Sequence, residues 1–446
     1  MRDGIRSDES VLSYAEINVI IDVTYGEGWD SASRTVLGPI SRKLAASRDA
    51  AGEQYAVVLR ERGRPQPIAV LNIAWAHDYV GVWAYDEHGR RFREFDLRRL
   101  EPGRLFSRHI AQWHYATETM KEFDDDAGRV LIDLYPDGTG GKVSQPKGAL
   151  GSSLHTLARV PDEERWVSPS AFADWAWAVA LVTGGLADHV DLRDVPEETP
   201  QRDGTAQDRE EDGRAAAPGW SPPRPLRPRH LDVMFVLGTC FSPPDSHATG
   251  PYVVERIIDA GLLRLPTGRV VACDPGWTDP DEPFTVAVRP GSYRMQIATA
   301  VYPVEHWGKS LRMEDFIGAR ILVSEEPTVA WELALRPGED VRTLREGEFY
   351  GFGVDTGTGC FVDAAAAGRL AGGEDTVPDR DSADGIFTLD DPESGGNLIG
   401  YPSGMGDGSY PVWIGRDADG EITCLVADML ILRRQDLLSG GDQRDA

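Results

Sequence analysis

Ser403-Gly-Met-Gly-Asp-Gly-Ser-Tyr-Pro-Val-Trp413 and Asp355-Thr-Gly-Thr-Gly-Cys-Phe-Val-Asp363 decide how this chain is read. Glycine at that density marks backbone with φ > 0 or close main-chain approach, conditions that a side chain forbids. The runs Tyr-Pro-Val-Trp and Phe-Val that flank the glycines read as strand. Gly357, Gly359, Ser403, Gly404, Gly406, Gly408 and Tyr410 therefore belong to rigid loops at the rim of a β-sheet, where binding groups sit.

Working outward, the second half of the chain is mostly strand. Gly268–Cys273, Phe284–Val288, Tyr293–Val301, Ala319–Val323 and Val329–Leu335 are β-rich, with Arg289-Pro-Gly-Ser292 as a turn. Strands at 410–414 and 422–431 flank Asp417-Ala-Asp-Gly420, a fitting hairpin turn. Residues 375–394 read as a mobile acidic insertion. The first half looks mixed. A helix is expected over 31–47, with Ser31 or Ser33 as its cap, followed by strands at 55–59, 67–75, 79–85 and 92–97. Residues 104–115 read as a core helix or a domain contact, 117–123 as helical, and Trp175–Val182 as an apolar helix. The fold class expected is α+β with two domains. An N-terminal β-meander with flanking helices (1–190) leads to an antiparallel, sandwich- or roll-like β-domain (231–436) and a flexible tail (437–446). Residues 191–230, rich in proline and acid and poor in large apolar side chains, read as a disordered linker between them.

A chain of 446 residues exceeds one ordinary core, which agrees with two domains. No apolar run approaches the ~18 residues of a membrane span, and the polar start lacks the apolar core of a signal peptide. Cys240, Cys273, Cys360 and Cys424 show no Cys-x-x-Cys pair, so neither a disulfide framework nor zinc spacing is present. A reducing cytoplasm is the expected location. The net charge is −27, and residues 231–446 hold 36 acidic against 17 basic side chains. A field of that sign disfavours nucleic acid and anionic membrane and favours a basic protein partner.

Leu265-Pro-Thr-Gly-Arg-Val-Val-Ala-Cys-Asp-Pro275, Pro290-Gly-Ser-Tyr293, the two glycine loops and Asp417-Ala-Asp-Gly420 occur in that order. As a series they resemble the bacterial domain-of-unknown-function family 4241, over roughly residues 250–435. The family carries no settled activity, so the resemblance implies identity without chemistry. The first 190 residues carry no motif series that points to a family.

Asp274, Asp355, Asp363 and Asp407 are the candidates for a shared site. If their loops converge, they offer hard oxygen ligands for a divalent cation, or an acid–base pair for a hydrolase. A metal, if any, would take Asp355, Asp363 and Asp407. Each also has a structural alternative: Asp274 precedes proline, Asp363 precedes an alanine run as an N-cap, and Asp407-Gly is a turn dipeptide. Asp355 would then bind loop amides. The thiols lack a histidine partner and read as inert. In the first domain Arg104, Arg108, His109, Trp113, His114 and Tyr115 form a basic-aromatic cluster suited to a phosphate or an RNA base, but the neighbouring Glu118, Glu122 and Asp124–Asp126 argue against a nucleic-acid face. With no complete catalytic constellation, the leading expectation is a non-enzymatic, immunity-type protein-binding module. A loop-aspartate hydrolase and a structural subunit of an assembly are the alternatives.

Overall fold

The computed structural model describes residues 19–149, 151–185, 190–195, 220–243, 248–276, 281–372 and 384–438. The chain divides into two compact units, Met1–Pro223 and Arg224–Ala446.

The first unit contains β1 (Val19–Gly26), β2 (Gly28–Asp30), β3 (Thr35–Leu37), α1 (Arg42–Ala51), β4 (Tyr55–Glu61), β5 (Ala69–Ala74), β6 (Tyr79–Tyr85), β7 (Arg91–Glu101) and β8 (Arg104–His114). β9 (Gly128–Leu134), β10 (Gly140–Ala149), β11 (Ser153–Leu157), α2 (Asp162–Arg165), β12 (Trp166–Val167), α3 (Ala176–Thr183) and β13 (Val190–Asp194) follow. From β4 to β11 each strand pairs with the next, a meander; β1 joins β4, β13 runs parallel to β1, and β12 lies on β8. Val57, Leu59, Leu71, Ile73, Val80 and Val82 cover one face and pack against Ala178, Val179 and Val182 of α3.

Three local expectations are corrected here. The helix expected over 31–47 begins only at Arg42. Gly38 (φ 48°) and Pro39 interrupt the run, and Ser41, not Ser31 or Ser33, caps the helix by accepting the Leu44 N–H at 3.2 Å. Residues 104–114 are strand rather than helix because β7 and β9 pair with both edges. Residues 117–123 form turns, with the Arg90 guanidinium taking the carbonyls of Thr117 and Met120 at 3.0 Å each.

The second unit holds β14 (Cys240–Phe241), β15 (Tyr252–Leu265), β16 (Val270–Cys273), β17 (Gly291–His306), β18 (Lys309–Leu322), β19 (Ala330–Leu333) and β20 (Phe352–Val354). β21 (Thr358–Asp363), α4 (Ala364–Leu370), β22 (Phe387–Asp390), β23 (Asn397–Pro402), β24 (Gly408–Tyr410), β25 (Val412–Arg416) and β26 (Ile422–Asp428) complete it. They form antiparallel sheets ordered β14-β15-β17-β18-β26-β25-β19 and β16-β21-β23-β22, plus the ribbon β20-β24. Alternation along β16 and β21 explains the layering. Val270, Ala272 and Phe361 enter a core shared with Ile297, Ile321 and Val426 of the larger sheet. Val271, Cys273, Cys360 and Val362 face the other way, onto Ala366 and Ala367 of α4.

The run 284–288, between Pro283 and Pro290, forms no extended strand: Arg269 bridges Ala287, and the Phe284, Thr285 and Val288 N–H groups donate to Val270, Leu335 and Gly268. Of the 375–394 insertion, 375–383 lie outside the described residues. The remainder is anchored: Phe387–Asp390 pair with β23, and Arg369 holds Asp391 at 2.5 Å. Of the 191–230 segment, residues 196–219 lie outside the described residues. Asp191–Asp194 pair with β1, and the Trp220 indole donates to the Glu27 carbonyl at 3.0 Å. Within the second unit, the Leu226 N–H donates to Glu348 at 2.8 Å. Leu437 bridges Phe241, and residues 439–446 lie outside the described residues.

Candidate functional site

The two glycine loops meet. β20 pairs with β24 through Phe352–Tyr410, Gly353–Ser409 and Val354–Gly408, so the residues next outward on the two strands are Asp355 and Asp407. The Ser403 N–H donates to the Gly357 carbonyl at 3.1 Å, tying one loop to the other. The Ser403 hydroxyl and the Tyr410 phenol both donate to the Gly406 carbonyl at 2.8 Å, which closes the 403–410 turn from inside. Two glycines are there for close approach. At Gly404 (φ 71°) a Cβ would stand 2.6 Å from the Phe316 carbonyl oxygen, and at Gly359 it would press on the rings of Phe352 and Tyr401.

The four aspartates separate into two kinds. Asp274 follows β16 and is buried, and its carboxylate is fully engaged. One oxygen accepts the N–H groups of Asp355 and Thr356, and the other accepts the Thr356 hydroxyl and the Gly276 N–H, all at 2.8 Å. Asp363 is also buried and ends β21, a strand of five steps or roughly 17 Å that begins at Thr358, after the turn that carries Asp355. It accepts the Ala365 N–H at 2.9 Å as the N-cap of α4 and binds the N–H and hydroxyl of Thr267. Asp363 therefore does not share a pocket with Asp355 and Asp407. Those two are exposed, and among the described residues neither carboxylate has a hydrogen-bond or ion-pair partner. Asp355 contributes its backbone N–H, not its side chain, to the loop hydrogen bonds. Among the described residues no group of three or more His, Cys, Asp or Glu side chains is placed to hold a metal ion.

The basic-aromatic cluster of the first unit is dispersed along β8. Arg108 is the extra residue of a bulge, because Asp96 pairs with His109 and Leu97 with Ser107. The bulge lets neighbouring side chains reach one acceptor: Arg108 and His109 contact Asp133 Oδ1 at 2.7 and 3.0 Å. Burial would raise the Asp133 carboxyl, but His109 and Arg108 outweigh it and hold the group at about 2. Arg104 lies over the Trp166 ring at 4.4 Å, Trp113 packs on Phe123, and the Tyr115 phenol donates to the Arg91 carbonyl. Each is engaged within the unit, and His114 is exposed.

Two features escaped sequence reasoning. Cys273 and Cys360 lie directly opposite across β16 and β21, with sulfurs 3.5 Å apart. Burial pushes the Cys360 thiol up, as an unreactive thiol requires. Only the strand register brings these residues together, and 87 positions of sequence separate them. The second feature is the hairpin β17–β18, whose Trp307 is 91% exposed. The signal available was Trp307-Gly308 between two alternating runs.

Among the described residues no helix is long and apolar enough to cross a membrane. No curated protein and no solved structure matches the chain. The N-terminal region matches no family, whereas residues 263–427, from the end of β15 to β26, match the family described as Protein of unknown function (DUF4241).

Proposed function

We propose that this chain is a non-enzymatic, immunity-type protein-binding module whose acidic C-terminal unit engages a basic protein, such as a cationic nuclease. The observation that carries the reading is the division of labour among the four aspartates. The two buried carboxylates have their oxygens occupied in fixing loops, while Asp355 and Asp407 stand exposed, without hydrogen-bond or ion-pair partners among the described residues, at the end of a paired ribbon. Chemistry needs carboxylates converging on one reacting atom. Recognition of a cationic surface needs accessible, pre-organised negative charge with little left to order on binding. The excess of acidic residues in 231–446 extends that field beyond the ribbon.

The test is biolayer interferometry of the full chain against purified cationic proteins, nucleases first, encoded beside its own gene. The expected result is binding that weakens steeply as salt is raised and by about tenfold in the double variant Asp355→Asn/Asp407→Asn. Absence of binding to all of them at low salt removes the reading. Calorimetric titration with Ca²⁺, Mg²⁺, Mn²⁺ and Zn²⁺ supplies the competing arm. Tight cation binding that disappears in both single variants would replace the binding module with a metal-dependent enzyme.

A further inference from the structure

The β17–β18 hairpin runs past the sheet that anchors it. Pairing of β15 with β17 ends at Val253–Val301, and β26 covers only Gly318–Leu322 of β18. Beyond those points the two strands continue as an arm to a two-residue turn, Trp307 (φ 54°) and Gly308 (φ 69°), the left-handed pair that suits the twist of a tight hairpin.

Register gives the arm two unlike faces. Tyr302–Met313 and Val304–Leu311 are cross-strand pairs on one face, while Pro303–Arg312 and Glu305–Ser310 are pairs on the other. Leu311 and Met313 are each 44% exposed. One edge of the arm is closed, because the Thr249 N–H donates to the Pro303 carbonyl at 2.9 Å and Ala248 bridges Val304. The β18 edge is different. From Lys309 to Asp315, among the described residues, no backbone group pairs on the side away from β17, and at Phe316 the Gly404 loop closes on the carbonyl. An open edge of that length is a template for another strand.

We propose that the strand it takes is the same edge of a second copy, paired antiparallel about a two-fold axis at Met313. Charge selects both the partner and the register. With Met313 on the axis, Arg312 of each copy lies opposite Glu314 of the other, Met313 meets Met313, and Leu311 lies opposite Asp315, whose carboxylate accepts from Tyr252 of its own chain. Arg312 already contacts Glu255, and Glu314 lies 3.4 Å from Arg256. Pairing therefore joins these into an alternating row of charge across the interface. Moving the axis one residue, to Arg312, would set Arg312 against itself, and like charges directly opposite are destabilising. A two-fold axis makes the contact closed and self-complementary, so the β18 edge of each copy is used up by the other.

Sedimentation velocity of the full chain over a concentration series tests this. The wild type is expected to shift towards twice the chain mass as concentration rises. Arg312→Glu and Glu314→Arg each place like charge across the interface and are expected to weaken the dimer at least about tenfold. An equimolar mixture of the two variants restores both pairs and should recover the dimer, as should the double variant R312E/E314R. Both side chains are at the surface, and recovery on mixing shows that neither variant has failed to fold. A wild-type chain that stays monomeric throughout overturns the proposal. So do single variants that dimerise like the wild type, or a mixture that stays monomeric.

Discussion

Asp274→Ala is expected to destabilise the second unit by about 3–5 kcal/mol, because it leaves a buried cluster of hydrogen-bond donors without their acceptor. The carboxylate answers four donors at 2.8 Å: the N–H groups of Gly276, Asp355 and Thr356, and the Thr356 hydroxyl. Without it these groups lose their acceptor in a place where Asp274 is only 3% exposed. Each such loss costs roughly 1–3 kcal/mol, less whatever a water entering the gap returns. Asp274→Asn should fall between, since its amide oxygen keeps one side of the cluster while its NH₂ meets donors on the other. Asp407→Ala, exposed and without a hydrogen-bond or ion-pair partner among the described residues, should stay within about 0.5 kcal/mol of wild type. Urea denaturation of the three variants checks the order. An Asp274→Ala chain as stable as wild type would show that the carboxylate serves something other than its loop.

That distinction was open in the sequence, and the reason is physical. Glycine loops and alternating apolar runs are local signals, so the strands around Tyr55, Tyr79, Tyr293 and Ile422 could be read directly. Whether an aspartate points into its own turn or into a shared cavity is a question of register, which local pattern does not encode. Asp363 shows this well. The alanine run after it marked a cap, and the same residues left open a metal ligand; Thr267, 96 positions earlier, occupies the remaining acceptor sites. Arg104–His114 show the opposite failure. Their charged and aromatic side chains give no clean period of two, and the strand is imposed by neighbours on both edges. The β20–β24 ribbon lay between these cases. Both loops are legible in the sequence, but their pairing depends on strands far apart in it, Phe352–Val354 and Gly408–Tyr410.

Asp428→Asn is expected to do the reverse of Asp274→Ala and stabilise the second unit at neutral pH. Asp428 ends β26 and is 7% exposed. Burial pushes its carboxyl up to about 6 from an ordinary 3.8, with the Leu430 N–H, the Trp413 indole and Arg433 only partly opposing it. A group whose pKa is higher folded than unfolded holds its proton more tightly in the fold. Its contribution to stability is fully present below the unfolded value of 3.8 and is lost as pH rises through about 6. The loss amounts to about 3 kcal/mol, since every tenfold difference in proton affinity between the folded and unfolded chain is worth roughly 1.4 kcal/mol. Asparagine is neutral at every pH and still offers an oxygen to the Leu430 N–H, which lies 2.8 Å from the aspartate oxygen. The variant should therefore match wild type near about pH 4 and exceed it by about 2–3 kcal/mol at about pH 8. The comparison must be a difference between the two chains, because other carboxylates carry the opposite sign. Asp133, held at about 2, contributes stability present above its unfolded pKa and lost as pH falls through the folded value. Subtracting the two denaturation profiles cancels such groups and leaves Asp428 alone. A difference that stays flat from acid to alkaline pH would mean that Asp428 titrates alike folded and unfolded. A variant less stable than wild type at alkaline pH would mean that the carboxylate is ionised and paired in the fold, with Arg433 as the cation that answers it.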